Sequence, residues 1–302
     1  MGRDLTIGGH LLHVEEFGDP VNPAVLFLHG GPGMGAYHFE TWQAQRLQER
    51  LRLITLDQRG VLRSAALADG EPLALMDLVA DCEELRETLG IQRWSLIGHS
   101  FGGYLAVLYA LTRPRSVDRL VFDSASLDVG SSARSLFAAA AMTFAQHGDQ
   151  EGVRGCLALA HAPQGTSVPH LWEQLSVWLG RLGAWRDEIY IHGDDKRLVD
   201  DVMNAAPFPA EWWQRGGSHQ ERLVAEGAIF LPLTDRLADA RQKTLIIKGL
   251  YDPVLASDQM AAYLSAKPDT QLKVFQESSH FAHMEEPDRY AQEVLAFLGD
   301  PS

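Results

Sequence analysis

The sequence predicts an α/β protein whose central sheet is mostly parallel and is flanked by helices. Short, continuous apolar runs recur along the chain, and segments with a helical pattern separate them. Continuous apolar strands are typical of a sheet that is covered by helices on both faces. The alternation stops between residues 127 and 233, where the pattern is helix-rich and broken by prolines. This interruption predicts a helical cap inserted into an otherwise single α/β domain.

The first predicted element is a hairpin between Leu5 and Phe17, because two strand-like stretches flank the turn-forming pair Gly8-Gly9. Apolar runs predict buried strands at Val25–Leu28, Leu53–Leu56, Trp94–Ile97, Leu120–Phe122, Thr244–Ile247 and Leu272–Phe275. Helical patterns predict helices at Phe39–Leu51, Leu75–Leu89, Tyr104–Leu111, Asp258–Ser265 and Pro287–Leu298. We therefore expect an α/β core formed by residues 1–126 and 234–302, and a cap formed by residues 127–233.

The composition excludes several classes of protein. The 302 residues carry a formal net charge of −14, whereas a nucleic-acid surface needs a basic patch. The two cysteines, Cys82 and Cys156, form no spaced motif, which argues against a disulfide framework and a zinc cluster. The chain begins without the apolar segment of a signal peptide, and no apolar run reaches the length of a membrane span. We expect a cytoplasmic protein that binds neither nucleic acid nor membrane.

The most informative motif is Gly98-His99-Ser100-Phe101-Gly102, which stands between a predicted strand and a predicted helix. A serine flanked by glycines at such a turn forms a nucleophile elbow. The glycines permit a tight backbone, and the serine hydroxyl projects from the crest of the turn. The N-terminus of the following helix favours developing negative charge. The motif therefore predicts Ser100 as the nucleophile of a hydrolase.

A nucleophilic serine needs a base to remove its proton, and the base needs an acid to orient it. In chains with this elbow, the acid and then the histidine follow the serine. Asp252 lies in the loop that follows the predicted strand Thr244–Ile247, and His280 follows the next predicted strand, Leu272–Phe275. Because the carboxyl ends of parallel strands meet at one edge of the sheet, we expect these three side chains to lie together.

Two alternatives stay open for this constellation. Asp123 is an alternative acid, because it also stands at the end of a predicted strand. His283 is an alternative base, three residues after His280. The remaining histidines near the motifs have structural explanations: we expect His99 to be packed beneath the elbow and His29 to have a structural role.

The glycine-rich segment His29-Gly30-Gly31-Pro32-Gly33 directly follows the strand Val25–Leu28. Acyl transfer needs backbone N–H donors that point at the oxyanion of the tetrahedral intermediate. Glycines allow that backbone to approach closely. The expected donors are the N–H groups of Gly31 and of Phe101, the residue after the nucleophile. Such a site hydrolyses its substrate through an acyl-enzyme and needs neither a cofactor nor a metal.

Together these elements resemble the α/β-hydrolase superfamily, and the resemblance covers nearly the whole chain outside the cap. Three motifs look like those of the proline iminopeptidases, aminopeptidases that remove N-terminal proline. The motifs are His29-Gly30-Gly31-Pro32-Gly33, Asp57-Gln58-Arg59-Gly60 and Glu285-Glu286-Pro287. The resemblance implies a small peptide, amide or ester substrate and, for an aminopeptidase, acidic cap residues that hold the free amine. Glu226 and Glu173 are the candidates for that role.

The chain departs from the usual pattern of that family. The elbow of the family is usually Gly-Gly-Ser-Trp-Gly, whereas this chain has the form common among esterases. Leu62 and Ser279 stand where the family usually has glycine. Two other functions therefore stay open, as does the oligomeric state. One is hydrolysis of an ester, a lactone or a C–C bond, and the other is binding of a ligand without turnover.

Overall fold

The computed structural model describes residues 2–194 and 196–299. Its strands are β1 (Arg3–Ile7), β2 (His10–Phe17), β3 (Ala24–Leu28), β4 (Arg52–Leu56), β5 (Trp94–His99), β6 (Val117–Asp123), β7 (Lys243–Gly249) and β8 (Gln271–Phe275). They form an eight-stranded sheet in the order β1-β2-β4-β3-β5-β6-β7-β8. The first two strands are antiparallel to their neighbours, and all other pairs are parallel. The predicted mostly parallel sheet is confirmed.

Helices surround this sheet. In the described residues they are α1 (Tyr37–Leu47), α2 (Leu75–Thr88), α3 (Phe101–Thr112), α4 (Val129–Gln146), α5 (Gln150–Ala160), α6 (Val168–Leu182), α7 (Asp187–Tyr190), α8 (Leu198–Ala205), α9 (Arg215–Glu226), α10 (Ser257–Ala266), α11 (Ala282–Glu285) and α12 (Pro287–Leu298). Helix α12 has the bounds that the sequence predicted. Helix α3 begins three residues before its predicted start, because Gly102 and Gly103 belong to its first turn instead of to a loop.

The N-terminal hairpin turns at the predicted glycine pair. Gly8 and Gly9 have φ values of +55° and +79°, and the flanking residues Ile7 and His10 pair with each other. A two-residue hairpin turn with positive φ at both positions matches the right-handed twist of its strands and favours glycine. The sequence signal and the backbone geometry therefore agree.

Both faces of the sheet are buried, because successive side chains of a strand point to opposite sides. On β3, Leu26 and Leu28 pack into the core that contains residues of α2 and α3. Val25 and Phe27 pack into the opposite core with residues of α1 and α12. The Phe27 ring stacks on Phe39 of α1, with ring centroids 3.7 Å apart. This double burial explains why the strands appear in the sequence as continuous apolar runs.

Helices α4 to α9 lie between β6 and β7 in the chain. The side chain of Asp128 accepts the N–H of Ser131 at 3.1 Å and so caps the start of α4. Several of these helices share an apolar core that includes Phe137, Phe144 and Leu171. The segment predicted as a cap is thus largely helical in the described residues, and its limits at residues 127 and 233 stay a prediction. None of the described helices is long and apolar enough to cross a membrane.

Candidate active site

Ser100 lies at a sharp turn between the central strand β5 and helix α3. Its backbone has φ +54° and ψ −118°, a conformation that costs a non-glycine residue roughly 1–3 kcal/mol. The Ser100 N–H donates to the carbonyl oxygen of Asp123 at 2.9 Å. A Cβ on Gly102 would lie 1.9 Å from the Leu28 carbonyl oxygen, and a Cβ on Gly98 would lie 2.5 Å from the Gly102 carbonyl. Close packing of backbone therefore requires the glycines on both sides of the serine.

His280 and Asp252 are joined by a hydrogen bond. The His280 Nδ1 and the Asp252 Oδ1 lie 3.1 Å apart, and both residues are buried. The Asp252 carboxylate also accepts the N–H groups of Val254 and Leu255 at 2.8 and 3.3 Å. Burial alone would raise the pKa of Asp252, but the His280 ring and the Lys248 ammonium group hold that pKa below its ordinary value. The carboxylate is therefore ionised and fixes one nitrogen of the imidazole.

The elbow and the histidine come together through His99. The rings of His99 and His280 have centroids 4.8 Å apart, and Ser100 directly follows His99 on the turn. In the part of the chain that the structure describes, no hydrogen bond joins the Ser100 hydroxyl to His280. Such bonds are often long in enzymes without substrate and tighten when the substrate binds. The structure brings His280 and Asp252 into contact, and Ser100 directly follows the residue whose ring lies against His280.

The glycine-rich loop after β3 lies directly against the elbow. A Cβ on Gly30 would come within 2.9 Å of the Ser100 Cβ, and Gly31 has a φ of +113°. His29 supports this loop from within the core: its Nε2 accepts the N–H of Gln58 at 3.2 Å, and burial lowers its pKa. Because the Nε2 is an acceptor, the neutral ring carries its proton on Nδ1, which lies 3.1 Å from the Gly30 carbonyl oxygen.

A pocket opens beside this loop and the start of α3. Gly31, Pro32 and Phe101 form one side of it. The remaining walls are Tyr104, Ser126, Val129, Trp172 and Ile229. Its empty space is about 310 Å³ with the open mouth included. Both residues predicted to donate to the oxyanion therefore lie at the wall of a small, mostly apolar pocket.

The two acidic residues predicted to hold an amine lie outside these walls. Glu226 is exposed at the end of α9, and its Oε2 accepts the Ala228 N–H at 2.9 Å. The hydroxyl of Tyr104, a wall residue, donates to the carbonyl oxygen of the same Ala228 at 2.9 Å, so Glu226 stands close to the pocket. Burial and the Glu226 carboxylate raise the pKa of Tyr104 to about 12. The Glu173 side chain is 75% exposed and lies 3.9 Å from the Nδ1 of His170. Of the two, Glu226 is the residue whose charge acts on a side chain of the pocket wall.

The alternative acid and the alternative base bind each other instead. The His283 Nδ1 lies 2.7 Å from the Asp123 Oδ2, and the His99 Nδ1 lies 3.3 Å from the same oxygen. All three residues are buried. Their donor atoms lie within 4.8 Å of one another, a spacing that a metal ion could use. At 2.7 Å, however, the separation of the His283 Nδ1 and the Asp123 Oδ2 is that of a direct hydrogen bond.

A buried ion cluster fixes the loop that follows β4. The Arg63 guanidinium donates to Asp57 at 2.6 Å and to both oxygens of Glu40 at 2.7 and 2.8 Å. Asp57 also accepts the N–H of Ala36 at 2.8 Å. Asp57 therefore connects this loop to the end of the glycine-rich loop. Arg63 was not identified from the sequence, because nothing in its position indicates its partners.

Leu62 has a backbone conformation that favours glycine, the residue usual at this position in the family that the motifs resemble. Its φ is +47°, in the left-handed region that costs most residues about 1–2 kcal/mol. The buried Leu62 side chain packs over Gly35, where a Cβ would meet it at 2.7 Å. Burial of a leucine contributes roughly 1.5–3 kcal/mol, which offsets the backbone strain.

Helix α9 of the predicted cap contacts the glycine-rich loop, backbone against backbone. A Cβ on Gly216 would lie 2.0 Å from the Gly33 carbonyl oxygen, and a Cβ on Gly33 would lie 2.5 Å from the Gly216 carbonyl oxygen. The Arg215 Nη1 donates to the Leu62 carbonyl at 2.8 Å, and His219 bonds to the Arg59 carbonyl through its Nδ1, also at 2.8 Å. The helix therefore contacts both the glycine-rich loop and the loop that follows β4.

Comparison with known proteins agrees with this architecture. A family model described as the alpha/beta hydrolase fold matches residues 23–287. A proline iminopeptidase of Neisseria meningitidis is 42% identical over 112 residues, which are 37% of this chain and 36% of that protein. A proline iminopeptidase of Xylella fastidiosa is 40% identical over 112 residues, 37% and 35% of the two chains. The match thus spans about a third of the length of these curated relatives.

Solved structures match over nearly the whole chain. A proline iminopeptidase-related protein of Thermus thermophilus has a TM-score of 0.77 at 24% identity, with 99% of this chain and 98% of that chain covered. An enol-lactonase of Burkholderia xenovorans has a TM-score of 0.69 at 18% identity, with 99% and 100% covered. At these identities the likeness is one of fold. Because the family model covers most of the chain, the protein belongs to the α/β-hydrolase fold family.

Proposed function

We propose that the protein is a serine hydrolase that acts through an acyl-enzyme on Ser100. The observation that carries the proposal is the buried hydrogen bond of 3.1 Å between His280 and Asp252, next to a strained serine elbow. A serine, a histidine and an aspartate in this relation form the catalytic triad of many hydrolases. Structural histidine–aspartate pairs also exist, but this pair lies at the carboxyl edge of the sheet beside the elbow.

In the proposed reaction, His280 takes the proton of the Ser100 hydroxyl as the oxygen attacks the substrate carbonyl. Asp252 holds the imidazole in place and stabilises its positive charge. The N–H groups of Gly31 and Phe101 bind the oxyanion. The proton then passes from His280 to the leaving group, whose bond to the carbonyl carbon breaks. A water molecule next attacks the acyl-enzyme with His280 as base, which releases the acid and restores the serine.

The proposed substrate is a small peptide or amide with a free N-terminal residue, of which proline is the first to test. The similarity of a segment of 112 residues to proline iminopeptidases supports this choice. The small size of the pocket supports it as well. Glu226 is the proposed partner of the substrate ammonium group, because its charge acts on Tyr104 at the pocket wall. The Glu226 side chain would have to turn from Ala228 toward the substrate.

One observation favours a second candidate, hydrolysis of a small ester or lactone. Among the described residues that form the pocket walls, none is acidic, and most of the wall is apolar. An apolar wall without a carboxylate suits an uncharged acyl group better than an ammonium group, since a charge without a partner is costly to desolvate. The two candidates share Ser100, Asp252 and His280 and differ in what the pocket recognises.

Three substrates separate these candidates: prolyl p-nitroanilide, its N-acetylated form and p-nitrophenyl butyrate, with Ser100→Ala as the blank. We expect turnover of the free-amine anilide and little or none of the acetylated one. In that case Glu226→Gln should raise KM for the anilide, while the matched variant Glu173→Gln should leave it unchanged. Turnover of the ester alone would refute the aminopeptidase and support the second candidate. Failure of a fluorophosphonate to label Ser100 would refute the hydrolase itself and favour a ligand-binding protein.

The contact between α9 and the glycine-rich loop makes a further prediction. Gly216→Ala should lower kcat about 10- to 100-fold, because its new methyl group displaces Gly33 and with it the Gly31 N–H, and misplacement of about 1 Å can cost that much. Steady-state hydrolysis of the best of the three substrates measures the effect. Gly217→Ala is the matched control, since a Cβ there meets nothing within 4 Å. Equal kcat values in the two variants would contradict the predicted coupling.

A further inference from the structure

A second histidine–aspartate group lies directly behind the proposed triad. We call His99, Asp123 and His283 the buried histidine–aspartate cluster. The Asp123 Oδ2 lies 2.7 Å from the His283 Nδ1 and 3.3 Å from the His99 Nδ1. The His99 ring in turn lies 4.8 Å from the His280 ring, centroid to centroid. The proposed mechanism has no role for Asp123 or His283, although both are buried and polar.

The cluster carries a net negative charge. Burial lowers the pKa of both the His99 and the His283 ring, and the Asp123 charge only partly opposes this. Burial alone would raise the pKa of Asp123, but the neighbouring His283 and His99 rings hold it below its ordinary value. Asp123 is therefore an anion beside two neutral rings. Among the described residues, no arginine or lysine nitrogen lies within 4 Å of this carboxylate.

Asp123 touches both segments that carry the proposed nucleophile and base. Its backbone carbonyl accepts the N–H of Ser100 at 2.9 Å. Its carboxylate binds His283, which is on α11 and only three residues after His280. The same carboxylate faces His99, the residue before the nucleophile. A single side chain at the end of β6 thus connects the elbow to the histidine loop.

We propose that Asp123 is a positioning residue of the reaction. It fixes the elbow and the His280 segment relative to each other, and its charge stabilises the imidazolium that forms on His280 when Ser100 attacks. This inference rests on the proposed function and adds to it a second buried anion. Asp252 acts through direct contact with His280, whereas Asp123 acts from behind His99 and through the backbone.

Removal of the buried Asp123 charge should change the pH dependence of the reaction that His280 assists. In the described part of the chain, the ionisable groups that face His280 and the cluster from other elements are Lys248 of β7, Asp252 in the loop after β7, His29 in the loop after β3, Tyr190 of α7, His38 of α1, Glu285 of α11 and Tyr290 of α12. All of these remain when Asp123 becomes asparagine. A shift in the pH profile of that variant therefore reports the loss of the Asp123 charge.

Labelling of Ser100 by a fluorophosphonate tests the proposal without the natural substrate. The Ser100 Oγ forms a bond to phosphorus, fluoride leaves, and His280 takes the serine proton. With Asp123→Asn, we expect the maximal labelling rate to fall about three- to tenfold, and the pH of half-maximal labelling to fall by about half to one unit. The direction follows because a lost anion makes the protonated histidine less stable, so the base becomes free at lower pH.

The matched control is Glu83→Gln on α2, whose carboxylate binds Ser116 just before the start of β6, whereas Asp123 is at the end of β6. The Glu83 carboxylate also accepts from several side chains, including the hydroxyls of Tyr109 and Ser116. This variant should lose stability without any shift in the labelling profile. An unchanged midpoint in Asp123→Asn, or an equal shift in Glu83→Gln, would overturn the proposal. Stoichiometric metal in the purified protein would overturn it as well.

His283 supplies a second test that does not depend on the folding of Asp123→Asn. His283→Asn keeps an N–H donor near the position of the Nδ1, whereas His283→Leu removes it. We expect the asparagine variant to label within about twofold of the wild type, and the leucine variant several times more slowly. Equal rates in the two variants would overturn the positioning role. If the wild type itself is not labelled, the proposed hydrolase fails, which is a different result from an unshifted profile.

Discussion

Ser100→Ala is expected to lower kcat by about 10⁶-fold, the loss typical when a serine nucleophile is removed. The variant keeps the fold, because alanine and serine pay a similar cost at a φ of +54° and the flanking glycines remain. What disappears is the atom that forms the acyl-enzyme. The residual rate comes from the oxyanion donors and from binding alone. Steady-state hydrolysis and fluorophosphonate labelling measure the loss.

Two further variants serve as controls for this result. Ser95→Ala removes a serine from the other end of β5 and should keep the wild-type rate, which separates the nucleophile from a general effect on the strand. The double variant Ser100→Ala/His280→Ala should be no slower than Ser100→Ala, because residues that act as a unit are not additive. A Ser100→Ala variant that retains even a tenth of the activity would mean that another group is the nucleophile.

Arg63→Met should cost about 3–5 kcal/mol of unfolding free energy, the range for a buried ion pair that loses one partner. Asp57 and Glu40, both buried, would face each other without a cation. Burial raises the pKa of Glu40, and without Arg63 that carboxyl becomes harder still to ionise. It would take up a proton as the pH falls, so the variant regains stability at lower pH. Urea unfolding at about pH 5 and pH 8 measures both effects.

Arg236→Met is the control for this prediction. Arg236 pairs with Asp239 at 3.0 Å, and both side chains are more than half exposed. Exposed pairs of this kind contribute about 0–1 kcal/mol, so the same substitution should leave the unfolding curve nearly unchanged. A loss in Arg63→Met as small as in Arg236→Met, or a loss that grows as the pH falls, would contradict the role assigned to the buried cluster.

The sequence predicted the fold well, because burial on both faces makes the strands of the central sheet visible as apolar runs. Strands such as β5 and β7 are buried on both sides, and the apolar residues at their centres indicate this burial. The hairpin at Gly8-Gly9 and helix α12 carry strong local signals. Helix α3 began earlier than expected, since glycines that usually indicate a turn are needed here for the contact between Gly102 and Leu28.

The site was predictable only where chain order reflects the position of each strand in the sheet. The order of Ser100, Asp252 and His280 follows from where their strands end, and the structure places the second and third in contact. The pairing of Asp123 with His283 was not predictable, because 160 residues separate the two and no motif indicates that their side chains face each other. Recognition of the substrate depends on the cap, whose helices carry no motif that fixes which side chains face the pocket.

The close approach of Gly33 and Gly216 has a consequence for protein engineering. Caps are the natural segment to exchange when a new specificity is wanted, since the core provides the chemistry. In this molecule a transplanted cap brings its own residue to the position of Gly216, and any side chain there collides with the Gly33 carbonyl. A chimera must therefore keep glycine at this crossing point or carry the loop of residues 30–36 along with the cap. Without that precaution it would lose turnover before it gained a new substrate.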